Sequence, residues 1–288
     1  MQITQPREVS FPSGEVRQAL GLGTWRMGED PAQRTAETAA LRLALEIGWR
    51  VIDTAEMYGS GGAERVCGQA LAEAQRGGLS RSELFLVSKV LPDNASQAGV
   101  LAACEASLRR LQLDFIDLYL LHWRGGVALE QTVRGFETLQ RRGWIRHWGV
   151  SNFDVDDMRE LGDVPGGKGC AANQVYFSLG ARGVEFDLLP WQRLQQMPLM
   201  AYCPFDQGRL ASHPGLQAVA DRHGARPAHV ALAWLLGQPG VMPIPKAGNP
   251  AHLHDNWAAQ SIRLTEQDLA EIDRNFPPPR RKQNLAMR

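Results

Sequence analysis

Short apolar runs recur along the whole chain about every thirty residues, and they limit its possible folds more than any other feature. The runs cover residues 19–25, 50–55, 84–90, 115–122, 145–152, 172–177, 199–205 and 241–247. Their hydrophobicity is continuous rather than alternating, which is typical of parallel strands covered on both faces. Segments of helical periodicity lie between them. Eight strands alternating with helices predict an α/β fold, a (β/α)8 TIM barrel.

Three further segments complete the predicted architecture. Residues 8–20 read as an N-terminal β-hairpin that turns at Ser13-Gly14 and plugs the bottom of the barrel. Residues 250–260 and 265–276 read as two helices after the eighth strand, one of them extra to the barrel repeat. The Pro-rich stretch that follows, with Arg280, Arg281 and Lys282, is expected to be solvated surface.

The helical segments are predicted from their apolar spacing and their start signals. In the segment after the first strand, the spacing predicts a buried face that contains Ala36, Ala39, Ala40, Leu43 and Ile47. Hydroxyl residues near acidic or amide partners mark helix starts close to Ser96 and Thr265.

An open doubly wound sheet is the alternative to a barrel. Its usual glycine fingerprint is missing, because Gly21 and Gly23 are followed by Arg26 where the third glycine would stand. No linker or break in composition divides the chain. We therefore expect residues 1–288 to form a single barrel domain.

Composition excludes several classes of partner. Lysine plus arginine and aspartate plus glutamate both number 31, so no net charge draws the chain to nucleic acid or to an anionic membrane. The four cysteines are scattered, as in a reducing compartment. The first ten residues contain no apolar leader segment. These features predict a cytoplasmic protein; its oligomeric state is not readable from the sequence, and a monomer is expected.

Unusual polar and aromatic residues stand at or near the carboxyl ends of the predicted strands. They are Thr24, Trp25, Asp53, Lys89, His122, Ser151, Asn152, Gln174, Tyr202 and Lys246, with Tyr58 in the loop after the second strand. Each has an ordinary structural alternative, such as a turn cap, a solvated lysine or a core histidine. Because active sites of TIM barrels lie at this end, their convergence predicts a functional site.

Four of these residues form a chemically coherent set. Tyr58 is a weak acid, and a lysine ammonium such as Lys89 would lower the pKa of its phenol. Asp53 can keep Lys89 charged in a partly dry site, and His122 can hydrogen-bond a reacting oxygen. The set offers a proton to a forming alkoxide but supplies no hydride. Carbonyl reduction with a nicotinamide cofactor is therefore implied, with no metal.

The chain resembles the aldo-keto reductase superfamily in an ordered set of segments: GLGTW, IDTAEMYG, VSK, DLYLLHW, GVSNF, NQVYF and IPKA. The resemblance implies a barrel that binds NADPH and a catalytic tetrad of Asp53, Tyr58, Lys89 and His122. Two longer segments, LLHWRGGVALEQTV and GCAANQVYFSLGARGVEFDLLPW, resemble the bacterial branch that includes methylglyoxal-reducing enzymes. That branch suggests small 2-oxoaldehydes as substrates.

The same resemblance implies a cofactor site. Its members are Gly23, Thr24, Asp53, Ser151, Asn152, Gln174, Tyr202, Lys246, His252 and Asn256, with Tyr202 stacking on the nicotinamide ring. The family often has Ser and Arg where this chain has Ala247 and His252. Losing a guanidinium should weaken recognition of the 2′-phosphate, so NADH cross-use is expected beside NADPH. Trp25 and Trp123 are expected to wall a substrate pocket for planar, including aromatic, aldehydes.

Two other functions compete with carbonyl reduction. A short-chain dehydrogenase would need Tyr-x-x-x-Lys, but Gly62, Trp123, Gly180 and Asp206 stand four residues after the four tyrosines. A nicotinamide-binding regulatory or scaffold subunit on the same fold, with little turnover, stays open because an intact tetrad does not exclude it. Other residues have ordinary explanations: His252 and His254 lie on a predicted late helix, away from a barrel metal site.

Overall fold

The computed structural model describes residues 7–288. Its strands are β1 (Glu8–Ser10), β2 (Val16–Gln18), β3 (Gly21–Gly23), β4 (Val51–Asp53), β5 (Phe85–Val90), β6 (Ile116–Leu121), β7 (Ile145–Ser151), β8 (Asn173–Tyr176), β9 (Leu199–Tyr202) and β10 (Val241–Pro243). Its helices are α1 (Arg34–Ile47), α2 (Gly62–Arg76), α3 (Gln97–Leu111), α4 (Leu129–Arg141), α5 (Val155–Asp163), α6 (Leu188–Leu194), α7 (Gln217–Arg222), α8 (Pro227–Leu236), α9 (Pro250–Ala258) and α10 (Glu266–Asn275).

Strands β3 to β10 form one parallel sheet in which each strand pairs with its neighbour in sequence. The ring is closed by a parallel bridge between Gly23 and Lys246, where the Gly23 amide donates to the Pro245 carbonyl at 3.0 Å. The predicted TIM barrel is confirmed. Each strand lies inside a predicted apolar run but is shorter than it, because the ends of the runs enter the loops at the barrel mouth.

The predicted hairpin is confirmed as β1 and β2, which pair antiparallel with Val9 opposite Arg17. It packs against the amino-terminal ends of the barrel strands. Phe11 lies 5.0 Å from Phe85 between ring centroids, and Glu15 contacts His147 Nε2 at 2.5 Å. The hairpin therefore covers the bottom of the barrel, opposite the expected site. Residues 1–6, part of the predicted leaderless start, lie outside the described residues.

The helix starts follow the predicted capping signals. Ser96 Oγ accepts from the Gly99 amide at 3.1 Å at the start of α3, and Thr265 forms a capping box with Asp268 at the start of α10. The two helices predicted after the last strand are α9 and α10. No helix among residues 7–288 combines the length and apolar character that crossing a bilayer requires.

The predicted buried face of α1 is partly wrong. Ala36 and Ala39 are exposed. The residues that α1 buries are Thr38, Ala40, Leu41, Ala44 and Leu45. Alanines stand on several faces of this helix, so apolar spacing alone did not determine its rotation about its axis.

Candidate active site

The mouth of the barrel holds a buried lysine between a carboxylate and a phenol. Asp53 ends β4 and Lys89 lies near the end of β5, and both side chains are almost fully buried. Lys89 Nζ donates to Asp53 Oδ2 at 2.7 Å and to the Thr54 carbonyl at 2.9 Å. It lies 3.3 Å from the Tyr58 hydroxyl. The structure thus brings together three of the four residues predicted as a tetrad.

Tyr58 is placed by a tight turn between β4 and α2. The residues after it, Gly59, Ser60 and Gly61, all have left-handed backbone, with φ of 57°, 51° and 80°. Behind the turn, Gly62 meets the loop after β3 so closely that a Cβ at this position would lie 2.3 Å from the Gly28 carbonyl oxygen. Only glycine at position 62 allows this close approach, and the approach fixes the turn that places the Tyr58 phenol at the mouth.

His122 follows β6 and completes the predicted set. Its ring lies 5.7 Å from that of Tyr58, edge to face, and 4.9 Å from that of Trp123. Burial and the nearby Lys89 lower the pKa of His122 to about 3. The imidazole is therefore neutral at physiological pH, so it can offer a neutral N–H to a carbonyl oxygen.

The pKa of Tyr58 differs from the sequence-based expectation. Burial raises the pKa of the Tyr58 phenol above its usual value, and the opposing effect of Lys89 does not overcome it. The expected net lowering is therefore wrong for the protein without ligand. Burial alone would lower the pKa of Lys89, but Asp53 and Tyr58 outweigh it and raise the pKa. Both groups stay protonated at neutral pH, which is the state a proton donor needs.

A hydrogen-bonded set of polar residues borders this centre on β7, β8 and β9. Asn152 Nδ2 donates to the His122 carbonyl at 3.1 Å, and Asn152 Oδ1 accepts from the Tyr202 hydroxyl at 2.8 Å. Ser151 Oγ donates to the Gln174 carbonyl at 2.8 Å. The Tyr202 ring stacks on Tyr176 at 5.7 Å. The set could hold a planar amide-bearing ring.

Gln174 makes a contact that sequence reasoning missed. Its Nε2 donates to Asp53 Oδ1 at 2.7 Å, so the amide holds the carboxylate oxygen that Lys89 does not use. Thr24 Oγ1 donates to the Asp53 backbone carbonyl at 3.0 Å. Lys89 and Gln174 therefore hold the two carboxylate oxygens of Asp53, and Thr24 holds its backbone. Gln174 lies in a predicted strand, but only its place across the closed barrel reveals this partner.

The remaining predicted cofactor residues lie beside the closure of the barrel. Gly23 forms the closing bridge with Lys246, whose side chain is exposed. On α9, His252 is exposed and Asn256 is buried. Of the predicted pocket walls, Trp25 is exposed and Trp123 is half-buried beside His122. Among residues 7–288, no three His, Cys, Asp or Glu side chains are grouped as metal ligands.

The C-terminal stretch is not merely solvated surface, as the sequence-based interpretation held. Lys282 Nζ donates to Asp154 at 2.7 Å and to Asp187 at 2.6 Å, which ties the stretch to the loops after β7 and β8. The Arg288 amide lies 3.3 Å from the Tyr202 hydroxyl. The stretch therefore crosses the mouth of the barrel and ends beside the polar set. Its charges gave no such signal, because their partners are far away in sequence.

Comparison with known proteins gives one consistent result. Residues 19–275 match the model of the Aldo/keto reductase family. The chain is 49% identical to methylglyoxal reductase YeaE of Escherichia coli over 98% of this chain and 99% of that protein. It is 47% identical to an aldo/keto reductase from Klebsiella pneumoniae in complex with NADP and acetate, with a TM-score of 0.93 over 98% of this chain and 100% of that one. A second Klebsiella structure, in complex with NADPH, has the same identity and TM-score over 99% and 100%.

Proposed function

The chain belongs to the aldo/keto reductase family, and from that premise we propose that it is an oxidoreductase that reduces small aldehydes to alcohols with NADPH. One observation carries the proposal: the Lys89 ammonium lies between the Asp53 carboxylate and the Tyr58 hydroxyl inside a nearly dry barrel mouth. A phenol next to a buried cation is a proton donor whose conjugate base is stabilised as it forms.

The donor set of the mouth fits a nicotinamide dinucleotide. Ser151, Asn152 and Gln174 carry the hydroxyl and amide groups that a carboxamide requires, and Tyr202 offers an aromatic face. Lys246 and His252 lie exposed at the barrel closure and on α9, where they would hold the 2′-phosphate, with Asn256 beside them. The close relatives support the same cofactor, since one is a complex with NADP and another with NADPH.

Each residue of the mouth has a separate role in the proposed reduction. NADPH, when bound, supplies the hydride that makes the new C–H bond. His122, neutral because of its low pKa, donates a hydrogen bond that orients the carbonyl oxygen. As the C=O π bond breaks, its electron pair moves to that oxygen, which takes the proton from Tyr58 Oη. Lys89 stabilises the resulting phenolate, Asp53 keeps Lys89 charged, and solvent returns the proton to Tyr58.

The substrates we propose are small 2-oxoaldehydes such as methylglyoxal, and aromatic aldehydes. The identity to YeaE, a methylglyoxal reductase, supports the first group. Trp123 packs beside His122 and Trp25 lies exposed near the end of β3, and such aromatic surfaces suit planar carbonyl compounds. The weaker phosphate recognition expected from Ala247 and His252 leaves room for slower reduction with NADH.

The proposal is tested by following the oxidation of NADPH, and separately of NADH, with methylglyoxal and with benzaldehyde. The Tyr58→Phe variant keeps the ring but removes the proton, so kcat should fall on the order of 10²- to 10⁴-fold. Binding of NADPH, measured by fluorescence quenching, should stay within about twofold of wild type because the removed hydroxyl belongs to the proton-transfer step.

Tyr119→Phe is the matched control. Tyr119 is a fully buried tyrosine of β6 whose ring packs on Phe136 at 6.0 Å, away from Lys89, so its variant should keep wild-type kcat. Retained turnover in Tyr58→Phe would refute the role of Tyr58 while leaving the reductase intact. Wild-type protein that binds NADPH but turns over no carbonyl would refute the reductase and favour a regulatory, cofactor-binding subunit.

A further inference from the structure

A buried carboxylate behind the active site has no part in the chemistry described above. Glu64 lies in the first turn of α2 and is completely buried. Its Oε1 accepts from Ser88 Oγ at 2.7 Å and its Oε2 accepts from Arg110 Nε at 2.5 Å. A charged side chain in this position is costly unless both oxygens are satisfied, so the arrangement is specific.

The position of Glu64 and its contact with Ser88 connect it to two catalytic residues, Lys89 and Tyr58. Ser88 immediately precedes Lys89 on β5, and strand side chains alternate, so Ser88 faces α2 while Lys89 faces the barrel interior. On the other side, Glu64 follows Tyr58 by one short turn and stands near the start of α2. The carboxylate therefore joins the strand that carries Lys89 to the helix that carries the Tyr58 turn.

Arg110 supports the same turn by a second contact. A Cβ at Gly61 would lie 2.6 Å from Arg110 Cδ and 2.7 Å from its Nε, so the guanidinium stem packs against the backbone of the left-handed turn. Arg110 also donates to Ser107 Oγ on its own helix at 3.0 Å. The end of α3 thus presses on the turn and binds Glu64 at the same time.

We propose that Glu64, held by Arg110, is a positioning residue that sets the distance between the Tyr58 hydroxyl and Lys89 Nζ. That distance is 3.3 Å, and the ammonium stabilises the phenolate only while the two atoms stay close. The turn that carries Tyr58 has three successive left-handed residues, and two of them are glycine, whose backbone is free to adopt other conformations unless neighbouring groups fix it. Glu64 and Arg110 supply that support from behind.

The inference rests on the proposed function, and its main test is Glu64→Gln. Glutamine keeps the size of the side chain but removes its charge, so the ion pair with Arg110 becomes a neutral hydrogen bond, and Ser88 Oγ has to accept from the new NH₂ group instead of donating. We expect kcat for methylglyoxal to fall about tenfold, because small displacements of catalytic groups cost this much or more. KM and the Kd for NADPH, measured by fluorescence quenching, should stay within about twofold of wild type.

A second readout does not depend on turnover. Ultraviolet absorbance of the phenolate, taken as the difference between each protein and its Tyr58→Phe counterpart, reports the titration of Tyr58. Its ionisable neighbours are Lys89, Asp53, Cys203, His122 and Tyr202. Since Lys89 lowers the pKa of Tyr58, moving the two apart should raise that pKa, and the titration of Glu64→Gln should shift to higher pH than that of wild type.

Asp117→Asn is the matched control. Asp117 is also a completely buried carboxylate that binds an arginine and a residue of β5, since it accepts from Arg81 at 2.5 Å and from the Leu86 amide at 2.8 Å. It acts at the opposite end of β5. We expect both this variant and Glu64→Gln to lose thermal stability, because each loses a buried ion pair. Asp117→Asn should nevertheless keep the wild-type kcat of the folded protein and the wild-type titration of Tyr58.

Three results would overturn the proposal: wild-type kcat and titration in Glu64→Gln, equal losses in both variants, or a titration that moves to lower pH. If wild type itself reduces no carbonyl, the proposed function has failed, and the titration alone decides whether Glu64 positions Tyr58. Should Glu64→Gln not fold, Arg110→Lys and Ser88→Ala each remove one contact of the carboxylate. A smaller shift of the Tyr58 titration to higher pH is then expected in both variants. Its absence in both would refute the role of Glu64 in positioning Tyr58.

Discussion

Two of the buried pairs of a carboxylate and a cation lie near opposite ends of the barrel. At the mouth, Asp53 binds Lys89 at 2.7 Å, and at the bottom, Asp117 binds Arg81 at 2.5 Å. Both carboxylates also accept a second hydrogen bond, Asp53 from Gln174 and Asp117 from the Leu86 amide. The two sites are therefore alike in charge and burial, although Asp117 accepts both hydrogen bonds on Oδ2 and its Oδ1 has only the Arg146 guanidinium beside it, at 3.2 Å.

They differ in what the cation can do. The guanidinium of Arg81 stacks on Phe115 at 4.1 Å and is joined there by Arg146, at 4.4 Å on the same ring. Arginine stays charged and its planar group fills a structural site. Lys89 is a point charge with its third contact directed at a phenol. The comparison shows that a buried ion pair can assist proton transfer when its cation is a lysine with a remaining N–H directed at a titratable oxygen.

Removing the cation from each pair is expected to give the largest difference between the two sites, both in kcat and in the free energy of unfolding. Lys89→Met should reduce kcat on the order of 10²- to 10⁴-fold, because Tyr58 loses the charge that stabilises its phenolate. It should also lower the free energy of unfolding by about 3–5 kcal/mol, since Asp53 stays buried with its cation removed. Steady-state kinetics and urea unfolding measure the two effects.

Arg81→Met is the counterpart at the bottom. Arg146 still approaches Asp117 at 3.2 Å and the Leu86 amide still donates, so the loss of stability should be smaller than in Lys89→Met and kcat should not change. A fall in kcat equal to that of Lys89→Met would show that the two ends of the barrel are not independent.

The pH dependence of kcat also distinguishes the two sites, because only the mouth contains groups whose protonation the reaction needs, and the expected effect is smaller. The reduction needs a neutral His122 and a protonated Tyr58. Because the pKa of His122 is about 3 and that of Tyr58 is raised, kcat should stay level from about pH 5 to pH 9 and fall only on the alkaline side, as Tyr58 loses its proton.

Initial rates at saturating methylglyoxal across this range test the prediction. Arg81→Met should give the wild-type profile, because the bottom pair does not touch the titrating groups. A loss of rate centred near pH 6.5 would mean that His122 titrates at its ordinary value and that the mouth is wetter than the structure implies.

The smallest expected effect on stability and kcat comes from removing the exposed cation Lys282, which pairs with two carboxylates. Lys282 bridges Asp154 and Asp187, but its side chain is 40% exposed, so solvent screens both pairs. Lys282→Met should change the free energy of unfolding by no more than about 1 kcal/mol and leave kcat for methylglyoxal within about twofold of wild type. Urea unfolding and kinetics check this, and a larger kinetic effect would give the C-terminal stretch a part in catalysis.

The architecture was predictable because its signals are local. Each barrel strand is a continuous apolar run, and the carboxyl end of each run marks the mouth, so the meeting of Asp53, Lys89 and Tyr58 followed once eight strands were assigned. The helix caps at Ser96 and Thr265 are also local. The rotation of α1 was not predictable in the same way, because its alanines blur the difference between one face and another.

The parts that escaped prediction depend on contacts between distant residues. Gln174 reaches Asp53 across the barrel, and Lys282 reaches Asp154 from the end of the chain. The raised pKa of Tyr58 depends on how deeply the loop buries the phenol, which no pattern of residues reports. Glu64 did leave a trace: it stands three and seven residues before the buried Cys67 and Leu71, so a carboxylate shares the apolar face of α2.

The path of the C-terminal stretch bears on how the protein is handled. Because the Arg288 amide lies within 3.3 Å of the Tyr202 hydroxyl, any affinity tag fused after this residue begins at the entrance through which substrate and cofactor must pass. The hairpin covers the opposite end of the barrel, so the first described residue, Arg7, lies away from that entrance. Kinetic constants are therefore best compared on protein carrying its tag at the amino terminus or cleaved free of it.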